Sequence, residues 1–274
     1  MTEKHLIFKW LYYQLGIDRL RQFLSIDQYF FKKCLLAEKV GFEKFYEISL
    51  TPRCYKNQMH VVAATEDYIR KFLPSLLGDL LKTKSLCTTT LFVGLIVGKE
   101  SSNASLDILQ KDFSDVNFVL MKSDFMCISS VKNCARFFLA QKLLKTCNSD
   151  VLITDIDVII TENLDQIFKS PKKINKIKLR RGRDSRFYCY AGCIFLSSDN
   201  KLEIVDDLCK RISLRFLSKN WYTDQISLWF TYKKFKKYFS AFTEREFSVK
   251  NKKSIIFAMK GSNKYSAALP EVNV

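Results

Sequence analysis

The stretch Asp150-Val151-Leu152-Ile153-Thr154-Asp155-Ile156-Asp157-Val158 decides the fold. Its run from Val151 to Thr154 is strand-sized and nearly all apolar, the pattern of a strand buried on both faces of a sheet. It closes on Asp155-Ile156-Asp157. In extended backbone, residues two apart point to the same side, so both carboxylates aim at one place while Ile156 packs behind them. Two ionised groups at the end of a buried strand are costly unless a cation or hydrogen bonds compensate them. Hard oxygen ligands with open coordination positions suit Mn2+ or Mg2+, whose remaining ligands are water and substrate phosphate. A turn using aspartate for solvation would show the same three residues, so the surroundings carry the decision.

Upstream, the chain alternates. His60-Val61-Val62-Ala63-Ala64 reads as a buried strand, followed by a helix from Tyr68 to about Lys82 that Thr65 is placed to cap. Thr89 to Val97 is a second strand, Gly98 to Asn103 a polar turn, and Asn117 to Met121 a third strand. A helix from about Ser129 to Cys147 then leads into the opening stretch. This rhythm predicts parallel β-α-β units: an α/β, Rossmann-like, mostly parallel mixed sheet flanked by helices. Ligands in such sheets bind outside the carboxyl ends of the strands, where Asp155 and Asp157 fall. Residues 1–57, rich in aromatics at helical spacing, read as a helical appendage to a domain spanning 58–274.

The bulk properties agree. Of 274 residues, 47% are hydrophobic, and Gly (8) and Pro (4) are scarce, which excludes a disordered chain. The formal charge of +17 favours polyanionic partners or reflects lysine-rich solvated faces. Nine cysteines include no CxxC pair, and His5 and His60 are the only histidines, which excludes a Cys/His zinc cluster. Thiols in apolar runs point to a reducing, cytoplasmic location. No apolar run reaches the roughly 18 residues of a membrane span, and charges interrupt the N-terminus where a signal peptide would be apolar.

Cys134-Ala135-Arg136-Phe137-Phe138-Leu139-Ala140, the opening stretch, and Glu162-Asn163-Leu164-Asp165-Gln166-Ile167-Phe168 together resemble the central block of GT-A glycosyltransferases. The resemblance is greatest to the retaining family of glycogenin and the bacterial lipopolysaccharide glucosyl- and galactosyltransferases. Three further segments follow in that family's order: Tyr190-Ala191-Gly192-Cys193-Ile194-Phe195-Leu196, Thr223-Asp224-Gln225, and Gly261-Ser262-Asn263-Lys264. The resemblance implies a GT-A fold and metal-dependent transfer of a hexose from a nucleotide sugar, a UDP-sugar first, with retention. The acceptor would be a glycan, lipid or protein.

It also implies site residues. Ala64, Thr65 and Tyr68 would line the nucleotide pocket, with Tyr68 stacking on the base. Arg136 would face the donor. Asp155 would contact ribose and metal, with Ile156 beside it, and Asp157 the metal alone. Gly192 would permit close approach, and Gly261 and Lys264 would meet the leaving diphosphate. Asp224 and Gln225 would sit at the sugar as the catalytic pair. Two departures stand out: the family's Asn before Ala-Gly is Tyr190 here, and its third metal ligand, a His, aligns with Ala258.

Two competing classes follow. An apolar run ending in Asp-x-Asp-Val also resembles the nucleophile motif of haloacid-dehalogenase-type phosphatases, with Asp155 as nucleophile. That motif opens its domain, whereas here it lies mid-chain with no Gly-Asp pair downstream to complete the site. A non-catalytic GT-A-like binding protein is the other alternative, motivated by the missing His. Two basic tracts bear on partners. Lys172 to Arg186 suits an acidic acceptor, and the Lys-aromatic run from Lys233 to Phe239 suits peripheral contact with an anionic membrane. No nucleic-acid-binding module is recognisable.

Overall fold

The four runs read as strands all become strands. A computed structural model describes residues 45–49, 58–127, 129–169, 174–179, 189–216 and 223–258, which fall in one compact unit. The strands are β1 (Glu47–Ser49), β2 (Gln58–Ala64), β3 (Thr89–Gly98), β4 (Asn117–Ser123), β5 (Asp150–Thr154), β6 (Val158–Ile160), β7 (Asn175–Leu179), β8 (Cys189–Leu196), β9 (Phe239–Ala241), β10 (Phe247–Ser248) and β11 (Ile256–Ala258). The helices are α1 (Glu66–Lys82), α2 (Ala104–Asp112), α3 (Ser129–Thr146), α4 (Asp165–Phe168), α5 (Lys201–Phe216) and α6 (Thr223–Lys234).

Among the described residues, eight strands form one sheet in the order β1-β4-β3-β2-β5-β8-β7-β9, and β10, β11 and β6 form a smaller one. The centre is parallel: β2 pairs with β3 and β5, and β3 with β4. Beyond it, β8 runs antiparallel to β5 and β7, and β1 antiparallel to β4. Strand order reverses at β2, with β3 and β4 stepping away on one side and β5 on the other. That reversal opens a crevice at the carboxyl ends of β2 and β5.

Each face of the sheet is covered. On one side Met59, Val61, Val151 and Ile153 pack with Val131, Phe137, Phe138 and Leu139 of α3. On the other, Val62, Leu91 and Leu152 pack with Ile69, Phe72, Leu73 and Leu76 of α1 and with Ile156. Ile156 is 4% exposed, so it does pack behind the two aspartates. Alternating strand faces thereby anchor the backbone that carries the aspartates.

Several expectations change. Glu47–Ser49 is an edge strand of the main sheet, inside the segment 1–57 read as helical; residues 1–44 and 50–57 lie outside the described residues. Tyr46 is buried in the core, and the neighbouring Ile48 pairs with Met121. Helix α2 went unanticipated, being short and mostly polar. Thr65 occupies the residue before α1, but its side chain makes no capping bond.

Among the described cysteines, Cys87, Cys127, Cys134, Cys189, Cys193 and Cys209 are free thiols, whereas Cys147 is disulfide-bonded, against the expectation of uniformly reduced thiols. No helix of the described residues is long and apolar enough to cross a membrane.

Candidate active site

Four segments meet in the crevice between β2 and β5, around a cavity of about 470 Å³. The end of β2 and the start of α1 contribute Ala63, Ala64, Thr65 and Tyr68. The turn after β5 contributes Asp155, Ile156 and Asp157. One face of α3 contributes Ser129, Lys132, Asn133 and Arg136, and the first turn of α6 contributes Asp224.

Arg136 organises the floor. Although α3 is otherwise packed with apolar residues, its guanidinium is only 5% exposed and does not reach out to solvent. Nη1 lies 3.0 Å from Asp155 Oδ1, and Nη2 lies 3.6 Å from Asp224 Oδ2. Nη2 also donates to the Ala191 carbonyl at 3.1 Å, and Nη1 donates to the Asn133 carbonyl. Burial works against the charge on Arg136, but Asp155 and Asp224 outweigh it and hold its pKa above the ordinary value. The Asp224 carboxyl is raised from its usual value, first by burial and then by Asp155, with Arg136 opposing. Its Oδ1 accepts from the Gln225 backbone N–H at 2.7 Å.

Gly192 has a definite task. Asp155 N donates to the Gly192 carbonyl at 3.1 Å, and a Cβ on Gly192 would stand 2.7 Å from Asp155 Oδ2. The space a side chain would fill is taken by the Asp155 carboxylate. Beneath the motif, His60 on β2 is fully buried, and its Nε2 lies 2.7 Å from Thr154 Oγ1. Burial pushes the His60 pKa down to about 3. The ring is therefore neutral, and Nδ1 has no hydrogen-bond partner among the described residues.

Among the described residues no three His, Cys, Asp or Glu side chains converge as a metal cluster. Asp155 and Asp157 both line the cavity, and their chemistry would fit a hard divalent cation: two carboxylates on an open cavity leave positions for water and phosphate. Ala258, at the position that the sequence resemblance aligns with a His, pairs across from Val158, one residue beyond Asp157.

The cavity thus unites Ala64, Thr65, Tyr68, Arg136, Asp155, Ile156, Asp157 and Asp224. Gln225 is not on its wall, and Gly261 and Lys264 lie outside the described residues. Ser129, Lys132 and Asn133 went unrecognised in the sequence, although their three-and-four spacing with Arg136 marks a polar stripe on an apolar helix. Tyr190 stacks edge-on against Phe247, with ring centroids 6.4 Å apart, so the residue replacing the family's Asn packs with the small sheet.

The basic tracts are partly committed elsewhere. Lys176 and Lys178 pair with Glu246 and Glu244 at 2.5 and 2.6 Å, and residues 172, 173 and 180–186 of that tract lie outside the described residues. In the second tract Phe235 and Phe239 are buried, and Lys234 pairs with Asp207 at 3.0 Å. Its solvent side carries lysines, with these two rings turned inward.

No protein-family model matches the chain, and no curated protein does. Among solved structures it is similar to the galactosyltransferase LgtC in complex with donor and acceptor sugar analogues, at 14% identity over 69% of this chain and 75% of that one, TM-score 0.49. It is similar to the glycosyltransferase GlyE of Streptococcus pneumoniae TIGR4, at 15% identity over 70% of this chain and 47% of that one, TM-score 0.43. It is also similar to the bifunctional glycosyltransferase WbbM, at 13% identity over 73% of this chain and 41% of that one, TM-score 0.48. The matched region covers less than half of the last two.

Proposed function

We propose that the chain is a metal-dependent glycosyltransferase that binds a nucleotide sugar, a UDP-sugar first, in the crevice between β2 and β5. One observation carries this: Asp155, Asp157, Arg136 and Asp224 come from three separate segments, yet line a single cavity at the point where strand order reverses. Asp155 and Asp157 would hold Mn2+ or Mg2+, which when bound neutralises the diphosphate as it becomes the leaving group. Tyr68, beside Ala64 and Thr65, offers the nucleobase an aromatic face, a contact worth roughly 1–3 kcal/mol in base stacking.

Arg136 keeps Asp155 and Asp224 in fixed positions, so the site need not reorganise when the donor arrives. Asp224 accepts from a hydroxyl of the transferred sugar and orients its anomeric carbon toward the acceptor. Transfer of a hexose with retention is the stereochemical outcome that the sequence resemblance implies. The acceptor is a glycan or lipid that reaches the cavity from its open side.

Donor hydrolysis with and without Mn2+ tests the proposal. Metal-stimulated release of UDP from a UDP-sugar supports it. Neither turnover nor nucleotide binding would sink it. Metal-stimulated binding without turnover favours the non-catalytic alternative, for which the methyl group at Ala258 is the structural motive.

A further inference from the structure

Ser129, Lys132, Asn133 and Arg136 occupy positions i, i+3, i+4 and i+7 of α3, so they form one stripe along the helix. All four line the cavity. The intervening residues Val131, Cys134 and Ala135 are buried in the core. Of the two cations in the stripe, Arg136 is committed to Asp155 and Asp224. Lys132 is not: it is half-buried and has no ion pair or hydrogen bond among the described residues. Hydroxyls of a neutral sugar are served by a Ser hydroxyl and an Asn amide, which Ser129 and Asn133 supply on either side. A half-buried ammonium on a cavity wall has lost part of its hydration, and an anionic ligand oxygen restores that loss most effectively.

We propose that Lys132, flanked by Ser129 and Asn133, is a donor-recognising subsite that grips an anionic group of the nucleotide sugar. This rests on the nucleotide-sugar assignment above. The anionic oxygens belong either to the diphosphate or to a carboxylate on the transferred sugar. The two sources share one chemistry and separate by experiment.

Calorimetric titration of the full chain with UDP, UDP-glucose and UDP-glucuronate, in Mn2+, is the test. Lys132→Met is predicted to weaken binding by roughly tenfold or more, the loss of a charge-assisted hydrogen bond, and Lys132→Arg to keep most of it. A loss shared by all three ligands assigns Lys132 to the diphosphate, and a loss confined to UDP-glucuronate assigns it to a sugar carboxylate. Equal affinities of wild type and Lys132→Met for every ligand overturn the subsite while leaving the donor assignment intact. If the wild type binds none of the three, the donor assignment itself has failed, and the subsite falls with it.

Discussion

Arg136 Nη1 lies 3.0 Å from Asp155 Oδ1, while the other guanidinium nitrogen reaches Asp224 Oδ2 at 3.6 Å. One buried cation therefore connects a carboxylate assigned to the metal with one assigned to the sugar. Its planar fork permits this, because the Nη2 that reaches Asp224 also donates to the Ala191 carbonyl.

Arg136→Met should leave two carboxylates facing each other without their cation. Breaking a buried pair from one side costs about 3–5 kcal/mol, and the lower end applies because the Asp155 side chain is 36% exposed. Urea unfolding midpoints measure it. Arg136→Lys should recover only part of the loss, since an ammonium cannot span the same partners.

Gly192→Ala places a methyl carbon 2.7 Å from Asp155 Oδ2. The carboxylate is the softer of the two and should swing away, at a cost of about 1–3 kcal/mol for overpacking. Metal-stimulated nucleotide binding should drop well beyond what the change in melting temperature accounts for. Unchanged binding would show that the carboxylate is not held where the glycine leaves room.

His60 should give stability an acid-side slope. Its pKa falls from 6.5 in the unfolded chain to about 3 in the fold, so the unfolded state takes up the proton first. The folded state loses about 1.4 kcal/mol per pH unit as pH falls below 6.5. In His60→Gln, followed by unfolding midpoints between pH 7 and pH 5, that part of the slope should vanish.

Asp224 should act with the opposite sign. Its folded pKa is raised above the usual 3.8, first by burial, so the folded state holds the proton more tightly than the unfolded one. Its contribution declines as pH rises through the window above 3.8 and stays low thereafter. Asp224→Asn mimics the neutral acid and should gain on the wild type across that window. A constant difference between the two at every pH would contradict the shift.

Much of this is legible in the sequence. The run Val151 to Thr154 had to be a strand because nothing polar interrupts it until Thr154, whose hydroxyl meets His60. The aspartates after it had to lie at a strand end. Other features were hidden for physical reasons. That Lys132 lines the cavity is visible only once the apolar side of α3 is known to face the sheet, since a lysine on a helix otherwise reads as solvated. That Gly192 sits beside Asp155 is not legible in the sequence, which does not reveal that β8 runs antiparallel to β5. The pairing of Lys176 with Glu246 joins residues 70 apart, which no local pattern anticipates.

The central claim is that Asp155 and Asp157 hold the cation that grips a nucleotide diphosphate. The affinity for UDP, measured with and without Mn2+ in the wild type and in Asp157→Asn, addresses it most directly. Asp157 is the better probe because Asp155 is also tied to Arg136. The account predicts that Mn2+ strengthens UDP binding by at least about tenfold in the wild type, with little or no effect in the variant. The same Mn2+ enhancement in both proteins would contradict it.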